Sequence, residues 1–203
     1  MRFPDGSHHM KTTLLKSEHY TRSPWKNGGG IFTDIADAHR EGSPARDWDS
    51  LLWRFASTPI VAPGPFSYMP GIDRLQMVVG GRGLVLKSPT QDFDEREPFT
   101  TVRFTGEMEI VTALEAGPVE VVNLMARRGA AEIELAALRQ PGDIPLPAGT
   151  HLAYAARGDC RIRLGDEDFA ISHENTLKID LAEASKLALV SGLIVLGSIR
   201  LVG

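Results

Sequence analysis

An all-β sandwich or barrel of the jelly-roll type is the fold class this sequence predicts, on three observations. Short runs rich in branched and aromatic residues recur at close spacing, Gly and Pro punctuate them, and helix signals are scarce. The runs are Ile31 to Ala36, Leu51 to Val61, Leu75 to Leu86, Pro98 to Phe104, Met108 to Leu114, Val119 to Arg127 and Ala131 to Leu138. Gly80-Gly81-Arg82-Gly83, between Met77-Val78-Val79 and Leu84-Val85-Leu86, is expected to turn a hairpin. Gly165-Asp166-Glu167-Asp168 repeats the device between Cys160 to Leu164 and Phe169 to Ser172. One short helix is expected from Asp180 to Lys186, with Asp180 as its N-cap.

The pattern occurs twice, up to about Leu114 and again from about Val119 to Val202. Two β halves are therefore expected, residues 11–114 and 115–203, packed intimately. Ahead of them Gly6-Ser7-His8-His9-Met10 resembles the remnant of an expression tag, which sets residues 1–10 aside and places the native start at Met10.

Composition narrows the function classes. A net charge of −4 with no block of like charge lacks the basic stripe of a nucleic-acid footprint. The only cysteine, Cys160, cannot staple the fold, and with no signal peptide it points to a reducing cytosol. Leu187 to Leu196 is the most apolar run and falls short of the roughly 20 residues that span a bilayer. The expectation is a cytoplasmic protein with neither nucleic acid nor membrane as partner.

Trp25-Lys26-Asn27-Gly28-Gly29-Gly30 suits no ordinary strand or helix, because consecutive glycines are favoured where the backbone must bend or be approached closely. Two readings fit: a bend between strands, or a loop whose amides, with Lys26 and Asn27, hold an anion. Trp25 is either a core residue or a stacking platform. Asp73 and Arg74 follow the Pro70-Gly71 turn and alternate in direction, so one faces inward and the other outward. Arg54 shares a face with Leu52 and Ala56, and among such neighbours its planar fork needs either a protein carboxylate or a ligand carboxylate. Along Val119 to Arg128, Val121, Asn123, Met125 and Arg127 form one face; Arg128, on the other, reads as a solvated edge residue. His151 and His173 stand apart with no His-x-His and no second Cys, so no metal site and no cofactor are expected. His19 and His39 read as surface residues, and Cys160 as a small apolar filler.

Trp25 to Gly30 with Thr33-Asp34-Ile35, then Trp53-Arg54, Gly64 to Arg74, Phe104-Thr105-Gly106-Glu107, and Gly117-Pro118-Val119 with Asn123 to Arg128 stand in the order of the HutD/Ves family, which the chain resembles from about Leu14 to about Arg128. The resemblance implies a cupin fold, related to the RmlC-like jelly rolls, with two barrel-like halves in one chain. It also implies an association with bacterial histidine utilisation as a small-molecule-binding or regulatory protein. An acidic residue and an aromatic stand in the family where this chain has Val121 and Val122, which removes a carboxylate from the face of Asn123.

The expected function is metal-independent binding of a small carboxylate such as urocanate or formylglutamate. The expected binding residues are Trp25, Lys26, Asn27, Gly28, Gly29, Arg54, Ser67, Asp73, Arg74, Asn123 and Arg127, with no catalytic residue assigned. Two other readings stay open: a metal-free enzyme on the same acids using Lys26 or Asp73 as acid or base, and a ligand-free interaction module. A homodimer through pairing at a barrel edge is compatible with the fold.

Overall fold

A computed structural model describes residues 10–24, 31–43 and 47–202. Trp25, Lys26, Asn27, Gly28 and Gly29 lie outside the described residues. In chain order the strands are β1 (Met10–Leu15), β2 (Thr21–Pro24), β3 (Ile31–His39), β4 (Leu51–Ile60), β5 (Ile72–Gly80), β6 (Leu84–Lys87), β7 (Asp92–Glu95), β8 (Thr101–Thr105) and β9 (Val111–Leu114). Then follow β10 (Val119–Arg127), β11 (Ala131–Leu138), β12 (Gly142–Leu146), β13 (Gly149–Tyr154), β14 (Cys160–Leu164), β15 (Glu167–Ile171), β16 (Thr176–Leu181), β17 (Ser185–Ser191) and β18 (Ile194–Leu201). The all-β expectation holds. No helix of the described residues is long and apolar enough to cross a membrane.

Two compact units divide the chain. The larger is built on His19–Ala136, with the last residues from Leu201; the smaller on Ala137–Arg200, with the N-terminal residues to Glu18. The division therefore falls near 137 and not at 114/115. Its cause is β10, whose register binds it between β4 and β5 inside the first unit.

In the larger unit a six-stranded antiparallel sheet, order β2-β3-β4-β10-β5-β8, is accompanied by the three-stranded sheet β7-β6-β9. Ile60, Val78, Phe104, Val119 and Val121 of the first sheet pack with Leu84 and Leu86 of β6 and with Ile110. In the smaller unit, β16, β13 and β18 contribute Ile179, Ala153 and Leu196 to a core shared with Ile162, Ile171 and Leu187 from the sheet β12-β17-β14-β15. Cys160 belongs to that core, and burial pushes its thiol up to about 11, as an apolar filler requires.

Two local expectations fail for identifiable reasons. Gly80 to Gly83 makes no hairpin, because β5 pairs with β10 and β8 whereas β6 pairs with β7 and β9. The glycines instead form the corner where the chain changes sheets. Gly81, at φ +72°, lies so close to Pro118 that a Cβ would come within 2.5 Å of its carbonyl oxygen. The expected helix from Asp180 is strand: Thr176, Leu177, Ile179 and Leu181 are buried, and Asp180 projects sideways to Thr150 and Lys178. By contrast, β14 and β15 do form the predicted hairpin, with Leu164 opposite Glu167.

Gly106 fixes one wall of the site described below. Its N–H donates to the Ile72 carbonyl and its own carbonyl accepts from Met69 N–H, both at 2.7 Å. A Cβ at 106 would lie 2.1 Å from the Met69 carbonyl oxygen, a backbone atom that has to move as a unit. We expect Gly106→Ala to lose about 1–3 kcal/mol of stability, the usual range for overpacking, or more; denaturant unfolding would measure it.

Candidate functional site

The register of the six-stranded sheet explains how polar residues far apart in the chain share one face. Residues directly opposite in an antiparallel pair lie on the same side. One row across the sheet is Phe104, Arg74, Met125 and Arg54. The next is Val102, Gln76, Asn123, Ala56 and Asp34, and the third is Val78, Val121 and Thr58. These side chains turn inward in the larger unit.

Arg54 and Arg74 flank the same residue, Met125, and are 5% and 4% exposed, yet their surroundings differ. Arg54 has a counter-ion. Its Nε and terminal nitrogen both reach the Asp34 carboxylate at 2.5 Å, Asp34 also accepts from the Ser23 hydroxyl, and the guanidinium lies over the rings of Phe32 and Trp48. Arg74 has no ion pair within 4.0 Å among the described residues. One terminal nitrogen donates to Asn123 Oδ1 at 2.8 Å, Nε has no hydrogen-bond partner among the described residues, and the guanidinium carbon lies over the adjacent rings of Phe66 and Phe104, 4.8 and 4.9 Å from their centroids. Burial lowers the Arg74 pKa to about 10, so it remains a cation at neutral pH.

A cavity opens onto this cation. Arg74, Gln76, Asn123, Thr58 and Ser67 supply its polar lining, and Phe32, Ile60, Phe66, Met69 and Val121 its apolar walls. The cavity proper is about 20 Å³, and about 290 Å³ of free space adjoins it when the open solvent at its mouth is included. The cavity proper is the size of one or two waters, far below a small-molecule site of roughly 300 Å³, so it admits a single carboxylate head and the rest of a ligand would lie in the open mouth. Thr58 Oγ1 and Gln76 Oε1 are buried without partners among the described residues. Beneath Gln76, its amide donates to Glu95 Oε2 at 2.8 Å, and Glu95 Oε1 is again unpartnered. Burial pushes the Glu95 carboxyl up to about 8, against weaker opposing effects of the Gln76 hydrogen bond and the Arg74 charge.

The structure thus brings together Ser67, Arg74 and Asn123 of the expected residues, and places three others elsewhere. The fork of Arg54 is filled by Asp34, the non-ligand reading of its burial. Asp73 lies outside the cavity, pairing with Arg128 at 2.8 Å, and Arg128 also reaches Glu107 at 3.1 Å. The turn is held by Glu107, which accepts from Gly71 N–H at 2.7 Å and which Arg128 holds down at about 2. Arg127 bridges the carbonyls of Leu51 and Trp48, a structural clamp between strand ends. Arg128 is thus an ion-pair residue and not merely a solvated one.

A larger groove of about 540 Å³ runs past Asp73, Arg103, Glu132 and Glu134, but its acidic lining disfavours an anion, and Arg103 there donates to the Ile133 carbonyl. No group of three His, Cys, Asp or Glu among the described residues is arranged to hold a metal ion. His151, buried, sits between the Pro147 carbonyl and Ser198 Oγ at 2.9 Å each. Facing a carbonyl, its Nε2 must be the protonated nitrogen, a structural role.

Sequence reasoning missed Thr58, Gln76, Glu95 and the two rings around Arg74. Gln76 was within reach, since period two from Arg74 puts it on the same face. Glu95 was not, because Asp92-Phe93-Asp94-Glu95-Arg96-Glu97 reads as a solvated charged edge.

The HutD family model matches residues 17–195. A curated relative from Pseudomonas putida, described as an uncharacterized 21.2 kDa protein in the hutC 3' region, is 33% identical over 112 residues, 55% of this chain and 56% of that one. The chain thus spans about half the length of the curated relative it matches. Among solved structures, a conserved protein of unknown function from Pseudomonas aeruginosa PAO1 superposes with a TM-score of 0.80 at 21% identity, and HutD from Pseudomonas fluorescens SBW25 with 0.79 at 22%. Each covers 95% of this chain and 100% of the other. At these identities the likeness establishes the shared all-β, cupin-type fold. The family match extends well beyond Arg128, where the sequence motifs end.

Proposed function

The chain belongs to the HutD family, whose members are linked to histidine utilisation, and from that premise we propose that it binds a small carboxylate of that pathway and thereby reports or limits its flux. The observation that supports this reading is Arg74. A buried guanidinium without a counter-ion costs several kcal/mol of desolvation. A bound carboxylate would supply the missing charge and the partner for Nε. Asn123 and Ser67 line the same cavity, and Thr58 offers a further hydrogen bond to the ligand. The cavity's inner volume suits one carboxylate, with the remainder of the molecule along the mouth. Urocanate and N-formylglutamate are the candidates with that shape. Arg54, Asp73 and Arg127 hold the frame.

Isothermal titration with N-formyl-L-glutamate and with urocanate tests the reading. We expect heat from at least one of them, saturating at one ligand per chain, and recovery of the ligand unchanged. No heat from either, with folded protein, removes this ligand class, whereas conversion of the ligand would make the protein an enzyme on the same acids.

A further inference from the structure

Resting on the carboxylate-binding reading above, a second role follows for a residue that does not line the cavity. Glu95, fully buried, contacts Gln76, which does line it. Its neighbours along β7 and beyond, Asp94 and Arg96, point outward, and Arg96 pairs there with Asp94 and Glu115. Inward, β5 brings Gln76, the Val78 N–H and Arg74, and Arg74 is the one charged group among the described residues that acts on Glu95. Gln76 Oε1 and Glu95 Oε1 both lack a donor among the described residues. A proton carried by Glu95 is the donor this pair lacks. An ionised Glu95 would instead place a negative charge near Arg74, offsetting the cation and repelling an incoming anion.

We propose that Glu95 is held as a neutral carboxylic acid in the unliganded protein, that it thereby leaves the charge of Arg74 to the ligand, and that carboxylate binding draws a proton onto Glu95 whenever the solution has removed it. The proton comes from solvent and goes to a Glu95 carboxylate oxygen; no other bond changes. A second negative charge in the cavity raises the carboxyl further, so ligand and proton bind cooperatively and reciprocally. Burial already places Glu95 at about 8. Affinity is then level through neutral pH and falls by up to about tenfold per pH unit above that value.

The test is calorimetry with N-formyl-L-glutamate, which has no group titrating near neutral pH, in pairs of amine buffers that titrate at each working pH and differ in ionisation enthalpy. At about pH 9 the buffer dependence of the heat should show uptake of close to one proton per ligand, and at about pH 6.5 almost none. Glu95→Gln should bind with little pH dependence and take up no proton. Carbon-13 NMR of the glutamate carboxyls, without ligand, should show one carboxyl titrating near 8 that is missing in Glu95→Gln. Binding by the wild-type protein with neither slope nor proton uptake would overturn the proposal and leave the binding reading intact, as would glutamates that all titrate at about 4. Absence of heat at every pH, in both proteins, would instead sink the binding reading and this proposal with it.

Discussion

Arg74→Met should lose carboxylate binding by at least about 30-fold while keeping, or raising, the stability of the fold. Truncating one partner of a buried charge-assisted pair costs about 2–5 kcal/mol of affinity, which sets the scale of the loss. Stability should behave differently, because the wild-type side chain is a cation already removed from water with no carboxylate of the described residues at ion-pair distance. Methionine removes that desolvation, and its thioether can pack on the adjacent rings of Phe66 and Phe104, now 4.8 and 4.9 Å from the guanidinium carbon. Opposing this, Asn123 Oδ1 loses its 2.8 Å donor, at about 1–3 kcal/mol if no water replaces it. Arg74→Lys keeps the charge but not the planar fork, and should fall between wild type and methionine. Calorimetry and thermal unfolding on the same preparations separate affinity from stability. A methionine variant that binds as tightly as wild type would show that Arg74 has no part in recognition.

Asp34→Ala should have the opposite signature, a loss of about 3–5 kcal/mol of folding stability, because it creates at Arg54 the condition that Arg74 has by nature. Arg54 would keep its place over Phe32 and Trp48 but lose the carboxylate that meets it at two nitrogens, and the Ser23 hydroxyl would lose its acceptor. Adding Arg54→Met should recover most of the loss, since a well-packed apolar pair often replaces a buried ion pair without penalty. Chemical denaturation of both single variants and the double variant completes the cycle. Equal destabilisation by Asp34→Ala with and without Arg54 would mean that the pair is not coupled. On the proposed reading the two arginines on either side of Met125 have separable roles: one would hold the sheet and the other would receive the ligand.

The extent to which this was legible in the sequence follows from what each signal measures. Alternation along Val119 to Arg127 and around Arg54 and Arg74 is correct because successive side chains of any strand point to opposite faces, even though β4, β5 and β10 are buried on both. Pairing was harder. Gly80 to Gly83 has hairpin composition, yet glycine also serves a corner between sheets, and only the partners of β5 and β6 distinguish the two. Asp180 resembles an N-cap in isolation, but Ile179 and Leu181 had already fixed it as an outward strand position. Most consequential was the choice between arginines. Nothing local reveals that Asp34, two strands away from β10, neutralises Arg54 and that no carboxylate of the described residues reaches Arg74 within ion-pair distance. That is a property of register across β3, β4, β10 and β5, which sequence spacing does not encode. Glu95 shows the same limit from the other side, a buried acid inside a run with the composition of a solvated edge.

A crystal structure of the protein grown with N-formyl-L-glutamate tests the central claim most directly. The expected result is density for a carboxylate within hydrogen-bonding distance of Arg74 Nε, between the Phe66 and Asn123 walls, with Asp34 still on Arg54. Ligand density confined to another surface, with Arg74 Nε satisfied by protein or by water alone, would contradict it.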